Sequence, residues 1–264
     1  MKSIYRVRQE RLMEKLEAKN IQKALVTNST NIFYLTGASI IPYERFLGLV
    51  LDIGTKVSHL IVPGFEKGHV QDEGTREVPY PDSEDPLLIA RDLIRGGQRI
   101  GMDKKNLPVF IMERLLSLLD EGEPGVVRDT PEIDSFLEEM RLHKDEDEIA
   151  KIREAGRYAG KILDQVRHLM KPGVSEQEIK FAIFQGISEE EALMGPACPI
   201  QVSSGIHSSL AHGMAGNRKL EPGDQVIIDY GVLYAHYRSD ITRTFFVGKP
   251  KEEFAKIYQI VREA

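Results

Sequence analysis

Apolar side chains at Ile4, Val7, Leu12, Met13 and Leu16 recur at helical spacing, which predicts a helix over residues 3–19 with one buried stripe. Two β-rich runs follow it, KALVTNSTNIFYLTG and FLGLVLDIGTKVSHLIVP, broken by Asn-Ser-Thr and by Ile53-Gly54-Thr55. The second reads as a hairpin. Leu87, Leu88, Leu93 and Ile94 then build a helix that Gly96-Gly97 ends, since glycine readily takes the left-handed cap. A short strand, QRIGMD, and a helix through Met112, Leu115, Leu116 and Leu119 complete this part. The alternation predicts a separate α/β domain over residues 1–128, with Glu121-Gly122-Glu123-Pro124-Gly125 as its break.

The second predicted domain covers 129–264. In HKDEDEIAKIREAGRYAGKILDQVRHLMKPG, residues Ile149, Ile152, Ala159, Leu163, Val166 and Met170 keep a helical period, while Ala155, Gly156 and Gly160 leave room for a close neighbour. The charged run from Arg141 to Glu148 reads as a solvated helix start. Lys171-Pro172-Gly173 stops the helix, and Ser175-Glu176-Gln177-Glu178 has the spacing of a capping box for the next one. From Pro199 the pattern turns to β: PIQVSSG, a Gly- and Ser-rich connection through His207 and His212, then IIDYGVLYAHYRSDITRTFFVG. The last segment, KPKEEFAKIYQIVREA, is a helix with Phe254, Ile257, Tyr258 and Val261 on one face. With no glycine cap and no later element to cover that face, the chain reads as stopping in mid-domain.

Composition narrows the partners. A net charge of −6 over 264 residues, with both signs interleaved, offers no basic stripe to nucleic acid. No apolar run reaches the length of a membrane span, and the charged N-terminus lacks a signal core, so the expected place is the cytoplasm. The single cysteine, Cys198, excludes an internal disulfide and reads as small core filling. His59, alone in its hairpin, reads as a strand-end residue without ligand role.

An aspartate stands in each of the last two β runs, Asp229 and Asp240, where Val or Ile is usual. A hairpin turning at Tyr234-Ala235 pairs the two across the ladder, with Cβ atoms about 5 Å apart on one face. Two anions so placed repel by about 3 kcal/mol at an effective dielectric near 20. Something positive must lie between them. Arg243 alternates onto the opposite face, which leaves Arg238 or a divalent cation, and hard carboxylate oxygens suit Mn²⁺, Co²⁺ or Zn²⁺. Thr242 and Thr244 share the Asp240 face, where their hydroxyls can orient a ligand, and Ile241, Phe245 and Val247 face a core. A water-facing edge strand is the plain alternative.

The stretch SSGIHSSLAHGMAGNRKLEPGDQVIIDYGVLYAHYRSDITRTFFVG resembles the core of the Xaa-Pro peptidases, the prolidase and aminopeptidase P branch of the methionine-aminopeptidase-like pita-bread hydrolases. The likeness extends more loosely to ALVTNSTNIFYLTG and MRLHKDEDEIAKIREA. It implies a creatinase/prolidase-type α/β N-terminal domain followed by an incomplete α+β pita-bread catalytic domain. It further implies that Asp229 chelates one of two divalent ions (Mn, Co or Zn), that Asp240 bridges both, and that His212 is the catalytic, substrate-orienting histidine. Thr242 supports the ligands from behind. His207 and His236 match no functional position of the family. The remaining His and two Glu ligands have no counterpart in this chain, so activity is expected of the intact protein and not of these 264 residues.

By the same resemblance, the two ions activate a water for attack on the carbonyl before proline, a bond that lacks the N–H other proteases grip. The expected substrate is a proline-containing peptide or dipeptide, and the expected assembly a homodimer. Two other readings compete: a metal-free creatinase-like hydrolase, and a non-enzymatic protein-binding module. Retention of both aspartates weighs against each. A His, Glu and Glu encoded beyond Ala264 would favour the peptidase, and a natural stop the binding module.

Overall fold

The structure, a computed structural model, describes residues 2–122 and 129–264. By internal contacts it divides into two units, Met1–His143 and Lys144–Ala264.

In the first unit, α1 (Ile4–Glu17) precedes β1 (Lys23–Val26), α2 (Ser29–Thr36), β2 (Gly48–Asp52), β3 (Val57–Pro63), β4 (Thr75–Tyr80), α3 (Pro86–Ile94), β5 (Ile100–Met102), α4 (Val109–Gly122) and α5 (Asp134–Leu142). The sheet order is β4-β3-β2-β1-β5, with β2 antiparallel to its neighbours and the outer pairs parallel. Successive strand residues enter different cores. Ala24, Val26, Leu49, Leu51, Leu60 and Val62 pack with α1, α2 and α5, whereas Leu25, Val50 and Ile61 pack with α3 and α4. Burial on both faces is why these strands read as unbroken apolar runs.

Several expectations change here. NIFYLT is helix, because the Asn28 side chain accepts from the N–H groups of Thr30 and Asn31 and Gly37, at φ 74°, closes the C-terminus. Ile4 and Val7 are exposed; Arg8 and Gln9 take the buried places, Gln9 bonding to Leu35 C=O, Asp72 and Thr75. The division expected after residue 128 adjoins 123–128, which lie outside the described residues, as do Glu123, Pro124 and Gly125 of the expected break. Residues up to His143 belong to the first unit, since Ile133, Leu137 and Met140 are buried in its core.

The second unit runs α6 (Glu146–Val166), α7 (Glu176–Glu189), β6 (Leu193–Pro196), β7 (Gln201–Ser204), β8 (Gln225–Tyr230), β9 (Val232–Tyr234), β10 (Tyr237–Arg238), β11 (Ile241–Phe246) and α8 (Glu252–Glu263). Two three-stranded sheets form, β10-β9-β6 and β11-β8-β7. Their core joins Ala155, Ala159, Ile162 and Ile183 of the helices to Val202, Val226, Ile228, Tyr230 and Val232. Capping boxes start both α6, at Asp145 and Glu148, and α7, at Ser175 and Glu178. Glu148 is not solvated: it is buried and accepts from the Tyr237 hydroxyl at 2.9 Å. The close approach along α6 falls to Ala155 and Ala159, while a Cβ on Gly156 or Gly160 would meet open space.

Candidate functional site

Strand β8 alternates sharply. Val226, Ile228 and Tyr230 are buried in the core, and the Tyr230 hydroxyl reaches the Ala159 carbonyl of α6. Asp229, between two of them, therefore points to the opposite face, partly exposed. Across the ladder it faces Gln201 of β7 and Thr242 of β11, which makes a polar row over three strands. Ile241, Phe245 and Val247 pack against the core as their alternation predicts.

The hairpin register differs from the expected one. Ala235 and His236 both adopt positive φ, 46° and 68°, and form the two-residue turn, so Tyr234 pairs with Tyr237 and Leu233 with Arg238. Asp229 then pairs with Thr242, and Asp240 falls outside the ladder, between β10 and β11. The two aspartates are therefore not the cross-strand pair that the expected register makes them. A Cβ on Gly231 would stand 1.9 Å from the Ser239 carbonyl oxygen, so only glycine lets the segment leading to Asp240 come this close.

The Cys198 thiol is within electrostatic reach of Asp229, Asp240 and Arg238. Burial pushes its thiol up, and the charges of Asp229 and Asp240 push it further, against the Gly231 N–H and Arg238. This half-exposed residue lies beside the aspartates and is not core filling. Arg238, the candidate counter-ion, spends its guanidinium on the Ala197 carbonyl, and Arg243 on the Thr242 carbonyl at 2.8 Å. Among the described residues neither aspartate has a salt-bridge partner. Hard, un-neutralised oxygens of this kind fit a divalent cation. They are only part of a site: among the described residues no three His, Cys, Asp or Glu side chains group as a metal cluster.

His212 lies in an exposed turn, within a loop that leaves β7 and includes a 3-10 turn over Gly205–Ser209. No hydrogen bond joins it to Asp229 or Asp240 among the described residues. His236 is in the hairpin turn, where burial and then the Lys151 charge lower its pKa. His207, expected to be a plain loop residue, has Nδ1 3.2 Å from both oxygens of Glu176. The sequence announced Glu176 only as a member of a capping box. Its burial depends on residues far along the chain.

Two family patterns match the chain: the Creatinase/Prolidase N-terminal domain over residues 8–143 and Metallopeptidase family M24 over residues 150–264. A Staphylococcus aureus protein described as an uncharacterized peptidase is 31% identical over 256 residues, covering 96% of this chain and 70% of that one. The Xaa-Pro dipeptidase of Pyrococcus horikoshii is 30% identical over 255 residues, covering 97% of this chain and 68% of the relative. Among solved structures, a recombinant prolidase from Thermococcus sibiricus superposes with a TM-score of 0.85 at 29% identity, over 100% of this chain and 71% of that one.

Proposed function

Because the chain belongs to Metallopeptidase family M24 and carries the Creatinase/Prolidase N-terminal domain, we propose that it is the metal-dependent Xaa-Pro peptidase portion of its gene product. The single observation that carries this is the pair Asp229, in β8, and Asp240, between β10 and β11, neither of which has a salt-bridge partner among the described residues. Divalent ions bound there supply a water of lowered pKa and polarise the scissile carbonyl. Asp229 and Asp240 hold the ions with carboxylate oxygens, and Thr242, directly across from Asp229, orients them by hydrogen bonding. His212 bonds the peptide and holds it for attack. The named relative that acts on Xaa-Pro dipeptides favours proline-containing dipeptides as substrates. Two carboxylates alone hold a transition metal weakly, so the 264 residues by themselves turn over no substrate. Pairing of two chains and a cytoplasmic location are further parts of this reading. Among the described residues no helix is long and apolar enough to cross a membrane.

The test is hydrolysis of an Xaa-Pro dipeptide by the intact gene product, with Mn²⁺ and after chelation. Turnover that needs the metal and vanishes in Asp229→Asn supports the reading. Undiminished turnover after chelation would overturn it in favour of creatinase-like chemistry.

A further inference from the structure

Glu176 opens α7 with its side chain fully buried, yet the chemistry given to Asp229, Asp240 and His212 makes no use of it. A buried carboxylate is costly unless donors surround it. Here they do. Oε1 accepts from the N–H and the hydroxyl of Ser204, both at 2.8 Å, and Oε2 accepts from the Gly216 N–H at 3.1 Å. Burial opposes the charge, but the Ser204 hydroxyl, His207 and the two N–H groups outweigh it and hold the pKa of Glu176 below the usual carboxylate range.

The donors' places matter more than their number. Ser204 and Gly216 flank the loop of residues 205–215, which carries both His207 and His212. One carboxylate thus ties the two ends of that loop together and, through His207, its first turn as well. Backbone bonds reinforce the same seam, from Gln177 N–H to Gly216 C=O at 3.0 Å and from Glu176 N–H to Arg218 C=O at 3.1 Å. Beside His212, the Ser203 hydroxyl donates to Gly213 C=O at 3.1 Å. The loop has no slack at these points. A Cβ on Gly213 would stand 2.7 Å from Ser203 Oγ, and one on Gly205, at φ 49°, would stand 2.5 Å from Arg218 Nη2. Arg218 is itself held by Ser204 Oγ at 2.7 Å and by both oxygens of Asp224 at 2.6 and 3.1 Å.

We propose that Glu176 is a positioning residue: its buried carboxylate clasps the loop of residues 205–215 at both ends so that His212 is presented in one place, with His207 as the solvent-side latch. The value of that presentation rests on His212 contacting substrate, as read above. The clasp itself does not.

Hydrogen exchange and histidine ring NMR on the 264-residue chain test it. In Glu176→Gln an amide NH₂ replaces an acceptor oxygen where N–H donors converge. Amides of 204–216 should then exchange at least about tenfold faster, and the single His212 ring signal should broaden or split. Amides of α6, β8 and the first unit should keep wild-type rates, a locality that general loss of stability would not give. His207→Asn, at the exposed side, should speed residues 205–211 a few-fold and leave Ser204 and Gly216 protected. Wild-type exchange and an unchanged His212 signal in Glu176→Gln would overturn the clasp. Should that variant fail to fold, His207→Asn decides, and unchanged rates at 205–211 overturn it. Failure of the peptidase reading is seen separately, as absence of Mn²⁺ binding at Asp229 and Asp240, and leaves these exchange rates unaffected.

Discussion

In β2 of the first unit every residue from Gly48 to Leu51 is buried, whereas in β8 of the second the buried residues Val226, Ile228 and Tyr230 alternate with the half-exposed Ile227 and Asp229. The first sheet has helices on both faces and spends all its side chains on packing. The second packs one face on α6 and α7, and its other face carries Gln201, Asp229 and Thr242 at one end and Ile227 and Phe246, the latter against Tyr258 of α8, at the other. A sheet with a free face can carry a carboxylate at modest cost, because water still reaches it. The same residue in β2 would be buried in a core.

The difference sets the sizes of the mutational effects. Leu25→Ala, in the doubly covered sheet, should cost the most, about 3 kcal/mol, read as a lowered denaturation midpoint of the first unit. Gly231→Ala should destabilise the second unit by about 2–3 kcal/mol, since its Cβ collides with the Ser239 carbonyl; a cost under about 0.5 kcal/mol would mean that the two strands do not meet as described. Tyr230→Phe removes the hydroxyl's bonds to Ala159 and Leu163 of α6 and should cost about 1–2 kcal/mol by chemical denaturation.

Acid should weaken both units. Glu176 lies below its ordinary value, and Glu178, bonded by Ser175 and Lys219, is drawn down to about 2. Groups with depressed folded pKa values contribute stability that is complete above the unfolded value near 4.5 and is lost as pH falls toward 2. Burial raises Asp103 and Asp134 in the first unit, and such groups contribute in the reverse sense, with stability present below the unfolded value. Glu10, Asp52, Asp82 and Glu139 of the first unit are lowered by their cationic partners as well, so both units should weaken between pH 4.5 and 2, followed by local fluorescence probes in each. The smallest stability effect belongs to Asp229→Asn, which should move the second unit by less than about 1 kcal/mol and in the stabilising direction, by relieving repulsion from Asp240.

What the sequence disclosed follows the range of the forces involved. Local devices were readable. The capping box at Ser175, the stop at Gly96-Gly97 and the β2–β3 hairpin depend on residues a few positions apart. The face of Asp229 was readable because alternation along β8 fixes it. The helix over Ser29–Thr36 was not, since Ile, Phe and Tyr favour strands and only the Asn28 cap and Gly37 say otherwise. Nor was the register, which depends on Ala235 and His236 taking positive φ, where glycine or asparagine would have signalled it. Glu176 was hidden for a third reason. Its partners Ser204 and Gly216 lie 28 and 40 positions away, a proximity that only the folded chain creates.

The central claim is that Asp229 and Asp240 are held together for a cation. Mn²⁺ titration of the 264-residue chain, followed by the loss of the free-ion EPR signal, addresses it directly. Wild type should bind Mn²⁺ weakly, as two carboxylates do, and Asp229→Asn and Asp240→Asn should each lower that affinity by at least about tenfold. Equal retention by all three proteins would contradict the claim.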